Sequence, residues 1–141
     1  MDRALSSFAL LVLRLGLVCV FFYHGSQNLL GWFGGARVPA FAENLAKLGC
    51  PLPYLAAILA SLAQLIGGLS LLVGWCTRYL LVPLAFTMFV ASIVDGRSGF
   101  GNAHGGCEFS LVCLCAVLAV WLLGPGAFSV SRLIPANKEM Q

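Results

Sequence analysis

Four apolar runs, residues 8–30, 54–74, 79–94 and 109–124, take up more than half of the chain, and Arg14 is the only charged side chain inside any of them. No soluble domain of 141 residues has enough interior to hide that much apolar surface. Composition agrees: 60% of the residues are hydrophobic and 9% charged, against roughly 25% charged in ordinary globular chains. The chain therefore reads as an integral membrane protein with the lipid bilayer as its first partner. The first two runs reach the roughly 20 residues that a helix needs to cross a hydrocarbon core; the last two are shorter, so flanking residues or local bilayer thinning must supply the difference. Backbone amides in lipid must find partners within their own segment, and alternation with a period of two is absent, so all four runs are expected to be helices. The expected fold class is all-α: one membrane domain over residues 1–141, built as a four-helix bundle.

The first run continues past the length of a secretory h-region, lacks an Ala-x-Ala site, and has Val18 where a lipoprotein signal wants a small residue before Cys19. It is expected to remain as the first span. Arg3, Arg14, Arg78, Arg132 and Lys138 fall on the side of the termini, and Arg37, Lys47 and Arg97 on the other, with Glu43, Asp95 and Glu108. That moderate bias predicts cytoplasmic termini. No nucleic-acid partner is expected.

The connections are unequal. Trp75-Cys76-Thr77-Arg78 is a tight turn, whereas residues 31–53 and 95–108 form long outer connections of the kind that build sites. Residues 39–49 read as a short amphipathic helix on the membrane surface: Pro39 suits a first turn, Phe41, Leu45 and Leu48 recur at helical spacing, Glu43 and Lys47 pair at i,i+4, and Gly49-Cys50-Pro51 is a stop. A surface anchor or lid suits it better than a partner-binding helix. Trp32 and Phe33 fit an interfacial aromatic belt.

Along the second run, Ala56, Ala60, Ala63, Gly67, Ser70 and Gly74 make a continuous small-residue seam, which lets helices approach closely in lipid. Beside it runs Ala57, Ser61, Gln64 and Gly68, which turns the Gln64 amide toward the bundle interior, as a helix-helix hydrogen bond or a ligand contact. Arg14 lies about two turns into the first run, from where its long side chain can snorkel to a lipid phosphate, form a structural ion pair or hold a ligand. His24, Gln27 and Asn28 stand at i, i+3 and i+4 and share one face, with Gly25 beside them allowing close backbone approach. The second outer connection holds Arg97, His104 and five glycines, a backbone able to fold over the bundle mouth or wrap a planar ligand. Glu108 opens the fourth run, where it can cap the helix, orient a histidine or accept a proton.

Of the six cysteines, Cys19, Cys113 and Cys115 read as small apolar fillers, and Cys76 lies in the cytoplasmic turn. Cys50 and Cys107 both lie in outer connections, either as a disulfide or redox-active pair or as two free thiols.

In this order and spacing, Leu13-Arg14-Leu15, Tyr23-His24-Gly25, Gly31-Trp32-Phe33-Gly34-Gly35, Gln64-Leu65-Ile66-Gly67-Gly68, Thr77-Arg78, Gly105-Gly106-Cys107-Glu108-Phe109 and Leu123-Gly124-Pro125-Gly126 resemble the DoxX family of small four-helix membrane proteins over nearly the whole chain. The resemblance implies a bacterial or archaeal cytoplasmic (inner) membrane and a subunit of a redox system, since one branch of the family includes the integral subunit of thiosulfate:quinone oxidoreductase. In the family pattern the residue at Asn28 is often lysine, that at Gln64 often glutamate and that at Cys107 often aromatic, so two charges are replaced here by amides. Arg14, His24 and Glu108 keep the pattern.

Together these features predict a polar pocket at the outer mouth of the bundle, formed by His24, Gln27, Asn28, His104 and Glu108, with Arg97 at its rim and Arg14 and Gln64 as further contacts for a bound group. The leading expectation is a quinone-linked subunit, not a complete enzyme by itself: a quinone enters from lipid between helices, His24 or His104 donates to one carbonyl, and Glu108 relays protons. Haem between the two histidines is the weaker reading, because His104 lacks an adjoining apolar helix and no Cys-x-x-Cys-His occurs. Zinc on His24, His104, Cys107 and Glu108 has suitable ligand types but no specifying spacing, and no metal is assigned. The alternative is a non-catalytic accessory or assembly subunit that docks a redox partner, with self-association of the chain also open.

Overall fold

The structure, a computed structural model, describes residues 3–35 and 37–132; Lys138, counted in the charge bias, lies outside them, as do the side chains of Arg3 and Arg132. Five α-helices follow in order: α1 (Arg3–Leu30), α2 (Arg37–Lys47), α3 (Pro53–Val73), α4 (Thr77–Asp95) and α5 (Glu108–Leu123). Among the described residues there is no strand. α1 begins five residues before the first apolar run, because Arg3 and its neighbours extend the helix beyond the stretch that hydropathy alone marks out. α3 starts with proline at its first turn and stops at Gly74, whose φ of 70° only glycine adopts without strain.

Each long helix buries one stripe at helical spacing. On α1 it is Leu10, Arg14, Leu17, Phe21 and Gly25; on α4, Thr77, Leu81, Leu84 and Met88; on α5, Ser110, Cys113, Val117 and Val120. Leu10, Leu17, Phe21, Leu71, Leu81, Leu84, Met88, Cys113, Val117 and Val120 form one continuous core. The opposite faces carry large apolar side chains outward, among them Leu122 and Leu123 at 71% and 72% exposure, an arrangement that suits hydrocarbon and not water. Ala4–Leu30, Pro53–Val73 and Thr77–Ser98 are each long and apolar enough to cross a membrane, and α5 is apolar but shorter. The protein is an all-α, multi-pass membrane bundle.

α1 packs on α3, α3 on α4, α4 on α5, and α5 returns to α1. Glycines set the closest approaches. A Cβ on Gly25 would lie 2.6 Å from the Leu65 backbone nitrogen, one on Gly68 3.2 Å from the backbone of Phe22, and one on Gly67 2.9 Å from the Leu84 side chain. This corrects the expected seam. The strip sealed along the length of α3 is Ala57, Ser61, Gln64, Gly68 and Leu71, whereas Ala56, Ala60 and Ala63 are half-buried, and only Gly67, Ser70 and Gly74 of that seam are enclosed. The phase follows from α1, whose Gly25 fits over Leu65 and so turns the neighbouring strip inward.

α2 is the short amphipathic helix, lying against α3 and α1 with Ala42 buried. It begins two residues before Pro39, and the Cys50 amide closes its end by donating to the Leu45 carbonyl at 3.0 Å. Lys47 bridges Glu43 at 2.8 Å on its exposed face. That hydrogen bond and charge hold the Glu43 carboxyl below the usual carboxylate range.

Because Gly25 has no room for a side chain, Gly25→Leu should destabilise the bundle by about 1–3 kcal/mol or more, read as earlier unfolding in a denaturing-detergent titration. Gly16→Leu, where nothing lies within 4 Å, should leave the midpoint unchanged.

Candidate functional site

The two ends of the bundle have different chemistry. At the proximal end, where the chain starts and α5 finishes, Arg14 is only 1% exposed. Its Nε and Nη2 donate to the Leu71 carbonyl at 2.8 and 2.5 Å, Nη2 also to Leu72 at 3.3 Å, and Nη1 to Pro125 and Phe128 at 2.6 and 2.8 Å. The side chain neither snorkels to lipid nor offers a donor to a bound group: its hydrogen-bonding capacity is taken up by carbonyls. Two of these belong to the last turn of α3, where the helix leaves carbonyls without intrahelical partners. The other two belong to the turn after α5, held in place by Gly124 and Gly126 at φ 78° and 75°. Ser131 adds a bond to the Gly74 carbonyl at 2.8 Å, and Gly126 sits against Leu10.

At the distal end, α1 finishes in an aromatic group. Tyr23 stacks on Phe33 with ring centres 5.1 Å apart, and Trp32 meets Phe22 edge-on at 6.2 Å. The chain reverses there through Gly31, Phe33 and Gly34, all with positive φ, which lets Gly35 settle directly on the Gln27 carbonyl. Phe33 holds a left-handed conformation at φ 55° that costs a non-glycine residue energy, and the stacking on Tyr23 offsets it. His24 is half-buried, edge-on to Tyr23 at 5.4 Å and tilted against Phe109 of α5 at 6.0 Å. Among the described residues neither ring nitrogen has a hydrogen-bond partner. Gln27 and Asn28 are half-buried on the same helix.

The glycine-rich connection is not free to wrap a ligand, because it is bonded to itself. Cys107 donates to the Gly99 carbonyl at 3.1 Å, Glu108 to Phe100 at 2.9 Å and Gly106 to Gly101 at 3.2 Å. Gly106 is buried so tightly that a Cβ would lie 2.6 Å from the Gly99 and Phe100 carbonyl oxygens. The Glu108 carboxylate accepts from the Asn102 amide at 3.1 Å, capping the turn Asn102–His104 and not its own helix. His104 and Arg97 are exposed on this loop. The pocket expected from His24, His104 and Glu108 is thus not assembled: His24 faces Phe109, His104 is on the outside of the loop, and Glu108 is engaged within it. Among the described residues no three His, Cys, Asp or Glu side chains are placed to hold a metal ion, so the set His24, His104, Cys107 and Glu108 does not converge. All six cysteines are free thiols, and Cys50 and Cys107 are not joined.

Two polar groups gain importance from the fold. Asp95 accepts a hydrogen bond from the buried Ser110 hydroxyl at 2.9 Å and ties the end of α4 to the start of α5, a pairing across 15 residues that leaves no local mark in the sequence. Gln64, on the sealed strip of α3, is 8% exposed, and its Oε1 is enclosed without any hydrogen-bond partner among the described residues. It immediately precedes Leu65, the residue on which Gly25 rests, and so lies level with His24.

Residues 9–95, well over half of the chain and covering α1 through α4 with Arg14, His24 and Gln64, match the DoxX family. The chain belongs to the DoxX family. It is 27% identical over 129 residues to the inner membrane protein YphA of Escherichia coli strain K12, an alignment covering 87% of this chain and 88% of YphA. No solved structure matches. In this DoxX protein the matched stretch ends at Asp95, so the self-bonded loop, Glu108 and the Arg14 acceptors after α5 lie beyond it.

Removing the guanidinium in Arg14→Ala leaves four carbonyl groups short of a donor, that of Leu71 buried and those of Leu72, Pro125 and Phe128 partly buried, and should cost roughly 3 kcal/mol or more in a detergent unfolding titration. Arg14→Lys, with three donors on one nitrogen, should recover less than half of that loss. Glu108→Ala should raise hydrogen-deuterium exchange at the Asn102 amide about fivefold, the loss of one bond worth roughly 1 kcal/mol, while exchange in α3 stays unchanged.

Proposed function

We propose that this DoxX-family chain is the integral-membrane subunit of a quinone-linked redox system in a bacterial cytoplasmic membrane, with both termini in the cytoplasm. The observation that carries the reading is the half-buried His24 imidazole at the junction of α1 and α5, beside Phe109 and level with the Gln64 Oε1, which has no partner among the described residues. A quinone head group needs flat apolar walls and hydrogen-bonding groups at its oxygens. Tyr23 and Phe109 supply such walls next to His24, and the His24 ring nitrogens and the Gln64 Oε1 have no hydrogen-bond partner among the described residues. The residues present therefore suit the group. His24 would hold one ring oxygen and exchange a proton there, and the Gln64 Oε1 would accept from the other ring oxygen once that oxygen carries a hydrogen, in the reduced form. When bound, the quinone supplies the two-electron chemistry that amide, imidazole and aromatic side chains do not themselves carry.

The name of the relative, an inner membrane protein, supports the location. For the orientation, Arg14 no longer counts, being enclosed in the bundle. The remaining bias is four residues, Arg3, Arg78, Arg132 and Lys138, to three, Arg37, Lys47 and Arg97, and still favours cytoplasmic termini. A second reading, a non-catalytic accessory subunit docking a redox partner, draws support from the engagement of Glu108 in its loop and from the half-buried Ala56, Ala60 and Ala63 on α3.

Gentle detergent purification followed by organic extraction separates the two. Wild-type protein should carry extractable quinone and His24→Ala should lose most of it, by about tenfold or more, with folding intact. Equal quinone content in both, or none in the wild type alongside a co-purifying partner protein that Ala60→Leu releases, would favour the accessory reading.

A further inference from the structure

We infer that the Gln64 carbonyl oxygen is the interior anchor of a ligand site beside the α1–α3 contact, and that it selects a lipid-soluble ring bearing a hydroxyl over the same ring bearing a carbonyl. The inference rests on the proposed quinone reading and narrows it to the reduced form. Three observations lead to it. The oxygen is enclosed and has no donor among the described residues, a costly state for a polar atom inside a bundle. Two hydroxyls on the helices that meet there are already engaged: Ser61, one turn earlier on the same strip, donates to the Ala57 carbonyl at 2.7 Å, and Ser26, next to Gly25, donates to Phe22 at 2.5 Å. The residue as a whole keeps 8% exposure, so it is not sealed off completely from its surroundings.

The unmet atom is an acceptor, and this fixes the chemistry. A carbonyl has no hydrogen to give it and brings a second acceptor toward it. A hydroxyl donates directly. The preference concerns binding alone and involves no transfer of electrons: the reduced ring is retained more tightly than the oxidised one. One hydrogen bond to an otherwise unpaired buried acceptor corresponds to a preference on the order of tenfold. For a two-electron couple, such a preference raises the potential of the bound pair by about 30 mV.

The test uses the full chain in mild detergent under anaerobic conditions, titrated separately with a short-chain benzoquinol and the matching benzoquinone. Binding is read by equilibrium dialysis and by quenching of tryptophan fluorescence, since Trp32 stands at the distal end. Wild-type protein should bind the quinol about tenfold more tightly, and Gln64→Met, close to isosteric and without the acceptor, should bind both forms equally with an unchanged circular dichroism spectrum. Equal wild-type affinity for the two forms overturns the inference while leaving the quinone reading in place. Retention of the full preference in Gln64→Met also overturns it, because the oxygen then has another donor, such as a buried water. Binding of neither form to the wild type overturns the inference and the quinone reading together.

Discussion

One buried cation organises the proximal half of this bundle. Arg14 carries a full charge into an enclosed position on α1, and instead of a carboxylate it meets the backbone carbonyls of Leu71, Leu72, Pro125 and Phe128. A lone charge in such surroundings would be prohibitive. What makes it tolerable is that the last turn of a helix presents carbonyls with no partner of their own and carries partial negative charge. The guanidinium answers that need for α3 and, with its opposite edge, fixes the chain where it leaves α5. Three segments far apart in sequence are thus joined by a single side chain, and Leu10, Gly126 and Gly74 pack around the joint.

From that joint upward, the packing is governed by where side chains are missing. Gly25 on α1 and Gly68 on α3 let the two backbones meet, Gly67 admits Leu84 of α4, and the distal end takes its shape from the crossing that results. His24 and Gln64 owe their common level to Gly25 resting on Leu65. The chemistry at the distal end is therefore positioned by contacts that carry no chemistry themselves, and it is buffered from the loop above, which is held by its own hydrogen bonds.

Much of this was legible in the chain. The four apolar runs yield the four long helices, and the Phe41, Leu45, Leu48 spacing with its Glu43 and Lys47 pair yields α2, because helical periodicity is a local property. The partners of Arg14 were not legible, since they are carbonyls, which every residue possesses and which leave no mark in a sequence. The phase of α3 was equally hidden: two adjacent strips of small residues look alike until the gap at Gly25 on another helix chooses between them. His104 and Glu108 misled for the opposite reason. Their side chains advertise chemistry, but the amides of Gly99 to Glu108 bond to one another first and leave the histidine outside and the carboxylate occupied. Gln64 was assigned an interior role from its strip, but not its unpartnered state, which depends on what every neighbour already does with its own hydrogens.

The shortness of α5 has a consequence for the surroundings of His24. Its 16 residues measure about 24 Å, against a hydrocarbon core of roughly 30 Å. Lipid along that one side of the bundle must dip to meet it, drawing head groups and their hydration layer inward. His24 stands against Phe109, the second residue of that helix. A membrane thinned in this way would bring hydrated head groups closer to the imidazole than its place near the end of a 28-residue helix suggests.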